Sequence, residues 1–348
     1  MQSVRHTYTP LGASAALSTP AIRQLSLALP YGEVFGLLGP NGSGKSTTIG
    51  LLTGLVKPSH EGGAGRIFMA GWDIEAHPEA VHRLIGVCPQ HDVVWNELTV
   101  QEHLEFQCRQ RGIPEYSINS ESQRAAIAVG LDGDAFRTPA ANLSGGMRRR
   151  LSIGMSIVGD PPLLVLDECS AGLDPENRQR IWQVIQSLRR PDRLILLTTH
   201  SMTEAEALCS RIGILAHGTL QCVGTPLALR FRYSQTYTLT INLHPAEGGA
   251  ALAQDELDDW VRDTVGDGDA ELTSTVNCTR RYSVPKTAGS IGRIFDLLEA
   301  AKDSGRPVAI REWGVGLTTL EDVFIRAVEA AEEGAASLDQ DDDDDEGD

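Results

Sequence analysis

Gly39-Pro-Asn41-Gly42-Ser-Gly44-Lys45-Ser46-Thr47 decides the fold. It fits G-x-x-x-x-G-K-[ST] at every fixed position. The apolar run at residues 33–38 comes before it, and a helix-forming stretch from Ser46 follows. Glycines belong in such a loop because backbone N–H groups must close around phosphate oxygens with no side chain in the way. Lys45 would bring a positive charge to the β- and γ-phosphates, and the Ser46 hydroxyl would reach Mg²⁺. A helix opening at Ser46 adds the positive end of its dipole. The alternative is a glycine turn with a chance lysine, and the strand–turn–helix context argues against it.

Two more apolar runs resemble the first. Residues 163–166 end in Asp167 and Glu168, and residues 194–197 end at Thr198. Continuous rather than alternating runs suit buried parallel strands. Helical patterns follow each of them, so the expected architecture is an α/β layered core. Residues 91–142 break the rhythm. Residues 100–111 and 120–129 read as polar helices with no strong strand between them, as in a helical insertion.

Past Arg232 the pattern changes again. Residues 237–243 alternate like a strand, and residues 252–265 carry Leu257, Trp260, Val261 and Thr264 at helical spacing. Strands at 270–276 and 281–284, a helix at 291–298, a strand at 307–313 and a helix at 319–331 follow. The order βαββαβ with a closing helix is the ferredoxin-like signature. The tail, residues 332–348, is acidic and rich in small residues, and is expected to have no fold. The expected domains are therefore 1–232, with a helical subdomain at about 91–142, and 233–331.

The net charge is −17, and the last ten residues alone hold seven Asp and one Glu, so the body without them still carries −9. A negative body argues against general binding to a nucleic-acid backbone, where Lys and Arg must neutralise phosphates. No nucleic-acid partner is expected. It leaves room for one nucleotide in a local positive pocket. Cys88, Cys108, Cys169, Cys209, Cys222 and Cys278 form no C-x-x-C pair and no zinc spacing, which suggests free thiols in a reducing compartment. No stretch approaches ~18 uninterrupted apolar residues, so no span is expected within this chain.

The carboxylates after the second run are the candidate hydrolytic groups. Asp167 would hold the Mg²⁺ shell, and Glu168 sits where a base could orient or deprotonate the attacking water. Standing alone, such a strand end could equally cap a helix. His200, at the end of the third run, lies where α/β sites gather. A lone histidine is more often a bland residue, and its position is what raises it.

Leu143-Ser144-Gly145-Gly146-Met147 opens another helix ahead of the Asp167 strand. On physical grounds alone it is a weak anion-binding turn. Taken with the phosphate loop, Val87-Cys-Pro-Gln90, Asp167-Glu168, Ala171-Gly-Leu-Asp174 and Thr199-His200, it resembles the ATP-binding cassette of ABC transporters. Residues 85–104, 217–225 and 317–324 are similar to stretches of the A subfamily, whose members mostly move lipids. They favour its N-terminal cassette with the appended regulatory domain. The resemblance implies a P-loop NTPase core of ABC type that uses ATP and Mg²⁺.

Carried over residue by residue, the resemblance gives each motif a role. Gln90 would contact Mg²⁺ and the attacking water and relay to a membrane domain. Ser144 and Gly146, with Gly145 between them, would bind the γ-phosphate held by a second cassette. Asp174 would communicate across that dimer, and His200 would touch the γ-phosphate. Tyr8 is the candidate for stacking on adenine. It is set far from Lys45 by what reads as an inserted loop at 9–19, and a plain exposed tyrosine remains the alternative. Tyr31 reads as part of a turn. Cys169 stands where the family commonly has Pro. Arg148-Arg149-Arg150 is more simply an element within or between cassettes than a nucleic-acid patch.

The implied partners are a second cassette and membrane-spanning domains, with this chain on the cytosolic face. The alternative is a soluble ABC ATPase that never meets a transporter. Those carry paired cassettes, coiled-coil insertions or basic surfaces, none of which is read here. A nucleotide-binding scaffold with a dead site conflicts with intact Lys45, Glu168 and His200.

Overall fold

The computed structural model describes residues 1–8, 19–59, 65–233, 236–243, 256–265, 268–276, 278–286, 291–304, 310–317 and 319–344. The chain divides into two compact units, one of residues 1–226 with 324–348 and one of residues 227–323.

The first unit opens with β1 (Val4–Tyr8), β2 (Thr19–Leu25), β3 (Val34–Leu38), α1 (Lys45–Thr53), β4 (Phe68–Met69), β5 (Trp72–Asp73), α2 (Pro78–Leu84) and β6 (Ile85–Cys88). The helical insertion follows as α3 (Val100–Gln110) and α4 (Glu115–Ala128). Then come α5 (Gly145–Ile157), β7 (Leu163–Asp167), α6 (Pro175–Ser187), β8 (Leu194–Thr199), α7 (Met202–Leu208), β9 (Arg211–Ala216) and β10 (Thr219–Gly224). Thr99 and Glu102 close a reciprocal capping box at the start of α3, which satisfies donors that a helix end otherwise leaves open. Helix α4 begins at Glu115, ahead of the residue 120 start that its pattern suggested, directly after Pro114 at its N-cap.

Eight strands form one sheet in the order β1-β2-β10-β9-β3-β8-β7-β6. The five strands from β9 to β6 run parallel to one another, while β10 pairs antiparallel with β9. All five residues of β3 and all six of β8 are buried, as expected of strands covered on both faces. The core packs Phe35, Leu37, Leu51, Ile67, Val165, Leu196 and Leu215 together. Because β3, β8, β7 and β6 are adjacent and parallel, their C-terminal ends emerge along one sheet edge. That edge is where ligands bind in open α/β sheets.

The second unit holds most of α8 (Pro226–Tyr233), then β11 (Thr236–Leu243), a helical turn at residues 256–260 running into a π-turn at Val261–Val265, β12 (Glu271–Val276), β13 (Thr279–Pro285), α9 (Ile291–Ser304) and β14 (Ile310–Leu317). Its four strands pair antiparallel in the order β12-β13-β11-β14. Leu239, Ile241, Val261, Tyr282, Val284 and Leu298 fill its separate core. Of the helix expected at 252–265, residues 252–255 lie outside the described residues, as do 307–309 of the strand expected at 307–313.

The division falls earlier than residue 232. Helix α8 goes with the second unit, where Lys286 donates to Phe231 O and lies over the rings of Phe231 and Tyr237. The last helix, α10 (Leu320–Asp344), crosses the division and joins the first unit from Phe324 onward. Leu320, Val323, Ala327 and Ala331 form its buried stripe. Where no fold was expected from Glu332, the backbone stays helical as far as Asp344. Residues 345–348 lie outside the described residues. None of the described helices is long and apolar enough to cross a membrane.

Candidate functional site

The phosphate loop leaves the buried end of β3 and turns into α1 at Gly44. Gly44 has φ 105°, and a Cβ there would lie 2.6 Å from Ile22 Cδ1 and 2.7 Å from Ala21 O. Only glycine accepts both the left-handed backbone and that approach. Asn41 and Gly42 form the exposed crest of the loop. Lys45, though charged, is only 6% exposed, and its Nζ donates to Gly39 O at 2.7 Å and Pro40 O at 3.0 Å. Burial draws its ammonium below the ordinary value, and the nearby carboxylates of Glu168 and Asp167 oppose that. Ser46 is exposed at the helix start and lines one cleft with Val87, Pro89 and Asp167. Thr47 is buried, and its Oγ1 lies 3.5 Å from Tyr8 Oη.

That last contact places Tyr8 over the start of α1, although Lys45 is distant in sequence. Its ring is half-exposed and packs edge-on against His6 at 4.5 Å between centroids. Residues 9–18, the main part of the expected insertion, lie outside the described residues.

The carboxylates stand at the end of β7. Asp167 Oδ1 accepts from Thr198 Oγ1, and the Glu168 N–H donates to Thr198 O and Oγ1, both at 3.1 Å. Thr198 therefore aligns the two acidic residues from the neighbouring strand. Glu168 has φ 43°, a left-handed conformation that a non-glycine residue holds only when its surroundings enforce it. Its Oε2 accepts from Gln90 Nε2 at 3.1 Å, and its Oε1 lies 3.5 Å from His200 Nδ1. One carboxylate is thus flanked by the loop after β6 and the loop after β8.

Ser144 and Asp174 each cap a helix. Ser144 Oγ accepts from Met147 N–H at the start of α5, and Asp174 accepts from Asn177 N–H at the start of α6. The two turns meet at Gly146, where a Cβ would lie 2.4 Å from Asn177 Oδ1. Gly145 faces open space. Among the described residues, no hydrogen bond or ion pair joins Ser144 or Asp174 to Lys45, Glu168 or His200. The chain therefore presents two clusters. One gathers Lys45, Ser46, Gln90, Asp167, Glu168 and His200, and the other Ser144, Gly146 and Asp174.

The arginine triplet works inside the unit. Arg148 donates to Ala141 O, and Arg150 donates to Val129 O and Gly130 O. Arg149 is buried and reaches four acceptors on two loops. Two residues of the site, Thr198 and Arg149, carry no motif of their own. The threonine pair before His200 and the arginine run after the Ser-Gly-Gly turn were the available signals. Cys169 is fully buried, and its backbone carbonyl accepts from Arg149, a bond that any residue at this position could make.

Residues 22–171 match the ABC transporter family model. ABC transporter A family member 3 of Arabidopsis thaliana is 40% identical over 314 residues, covering 90% of this chain. These matches show an ABC-type ATP-binding domain in this chain. Member 5 of the same plant series is 41% identical over 313 residues, and this cassette spans only 32% of either relative. Among solved structures, an ATP-binding subunit of an ABC transporter is 27% identical with a TM-score of 0.57, covering 67% of this chain and 91% of that one. A dimeric cassette in a post-hydrolysis state bound to ADP and Pi has the same fold, with TM-score 0.56 over 64% of this chain and 97% of that one.

Cassettes of this family bind ATP with Mg²⁺, and the residues gathered here fit both. Among the described residues the Ser43 hydroxyl is buried in the loop with no hydrogen-bond partner, and the hydrogen bonds of the Lys45 ammonium go to neutral carbonyls. A phosphate would supply what both groups lack. Ser46 and Asp167, two hard oxygen donors on one cleft, suit Mg²⁺.

Proposed function

We propose that this chain binds and hydrolyses MgATP and powers the movement of lipid by membrane-spanning segments of a longer polypeptide. The cassette would work on the cytosolic face of that membrane. The observation that carries the hydrolytic reading is the Glu168 carboxylate between Gln90 and His200, on the same sheet edge as Lys45. Glu168 takes or orients the proton of the attacking water, Gln90 holds that carboxylate from one side, and His200 approaches the γ-phosphate from the other. Lys45 and the loop amides bind the β- and γ-phosphates. Ser46 and Asp167 would hold Mg²⁺, which would supply positive charge to the phosphates. Tyr8 stacks on the adenine.

Separation of Ser144 and Asp174 from this cluster supports a composite site. Ser144 and Gly146 would close on the nucleotide of a second cassette, and Asp174 would signal across the dimer. Lipid as cargo rests on the likeness to A family members. The second unit would bias opening against closing, because it has its own core and lies outside the matched family segment.

The test measures MgATP hydrolysis per chain against protein concentration. The rate should climb with concentration and vanish in Ser144→Arg. A rate independent of concentration and unchanged by Ser144→Arg refutes the composite site. For the cargo, the chain would replace the corresponding third of an A family relative in phospholipid vesicles. Restored ATPase without ATP-dependent lipid movement rejects the lipid reading.

A further inference from the structure

Arg149 is 5% exposed, and its guanidinium spends its donors on two loops. Nη1 donates to Pro89 O at 2.6 Å and to Asp92 Oδ1 at 3.0 Å. Nη2 donates to Asp167 O at 2.8 Å, and Nε to Cys169 O at 2.7 Å. Pro89 directly precedes Gln90, while Asp167 and Cys169 flank Glu168. The guanidinium therefore grips the peptide units beside both side chains that meet at the Glu168 carboxylate.

We propose that Arg149 is a positioning residue for hydrolysis, clamping the loops that carry Gln90 and Glu168 into one register. This rests on the ATPase reading above. Glu168 sits at φ 43°, and a strained turn persists only where neighbours enforce it. Bonds to the carbonyls on both sides of Glu168 do so from one rigid group. Arginine suits this task and lysine does not. A planar fork reaches acceptors in fixed directions, whereas an ammonium offers three donors from a single point. Asp92 completes the clamp, since its Oδ1 also accepts from Ser152 Oγ at 2.8 Å, which ties the loop after β6 to α5 a second time.

The test compares the full chain with Arg149→Lys, Arg149→Gln and Asp92→Asn in ATP binding, kcat, KM and amide hydrogen exchange. Misplacing a catalytic group by about an ångström costs on the order of 10²-fold. Arg149→Lys should lower kcat by roughly that factor, with ATP affinity and KM close to wild type. In a double-mutant cycle with Gln90→Ala, the two losses should be strongly non-additive. Amides at 90–92 and 168–170 should exchange faster in Arg149→Lys while those of β3 and β9 do not. If the Arg149 variants fail to fold, the isosteric Asp92→Asn should still lower kcat without weakening ATP binding. A folded Arg149→Lys with full kcat and unchanged exchange overturns the proposal, as does additivity with Gln90→Ala or a fully active Asp92→Asn. A wild-type chain that binds no ATP overturns the ATPase reading itself, which separates the two failures.

Discussion

Glu168→Gln removes one negative charge and the carboxylate proposed to take a proton from water, while keeping the volume and a carbonyl acceptor for Gln90. Gln90 Nε2 donates to Glu168 Oε2 at 3.1 Å, so the loop after β6 should keep its place. The Lys45 ammonium loses one of the two carboxylates that oppose the effect of its burial, so an arriving phosphate becomes a more valuable partner. ATP affinity should therefore hold or rise. Loss of a general base costs about 10²–10⁴-fold in rate. That corresponds to ~2.7–5.5 kcal/mol of barrier. The assay pairs phosphate release with binding of a fluorescent ATP analogue, and light scattering with and without ATP follows dimer formation. Slow turnover with tight ATP binding and an ATP-dependent dimer is the expected triad. Wild-type turnover in Glu168→Gln would refute the assignment and move the base role to His200.

Lys45→Ala removes a cation that makes charge-assisted bonds, worth about 1.5–3 kcal/mol each, so ATP affinity should fall by roughly 10- to 100-fold in titration calorimetry. Tyr8→Phe should bind ATP like wild type, and Tyr8→Ala should lose about 1–3 kcal/mol of base stacking. Equal affinity in Tyr8→Ala would make it an ordinary surface tyrosine. Five of the six cysteines are buried, and burial pushes the Cys88 thiol up to about 12 and the Cys108 thiol to about 11. At pH 8 a disulfide reagent should therefore titrate Cys278 alone in the folded chain and all six thiols in denaturant; fast reaction at Cys88 would contradict the packing at the end of β6.

Much of this molecule is local, and what is local could be read from the sequence. A loop that must accept a left-handed turn at Gly44 and close approach at the same residue admits few side chains, so its motif is legible. Fully buried parallel strands need unbroken apolar runs, which is why β3, β7 and β8 were visible before their neighbours were known. The Ser144 and Asp174 caps are equally local, because each satisfies N–H groups within its own helix.

Strand order was not local. That β8 lies between β3 and β7, so that Thr198 bridges Asp167 and Glu168, follows only from the sheet. Tyr8 reaches Thr47 only once β1 and the start of α1 come together in the folded unit. The membership of the last helix depends on where its buried stripe packs, and a helical period cannot say that. Arg149 shows the same limit at a single side chain. In sequence it is one of three arginines, and nothing in its neighbours says which will be buried. Folding brings four acceptors from two loops around it, because backbone carbonyls leave no residue-type signature. Sequence names the groups that carry the chemistry, and the tertiary structure decides which of them meet and what holds them there.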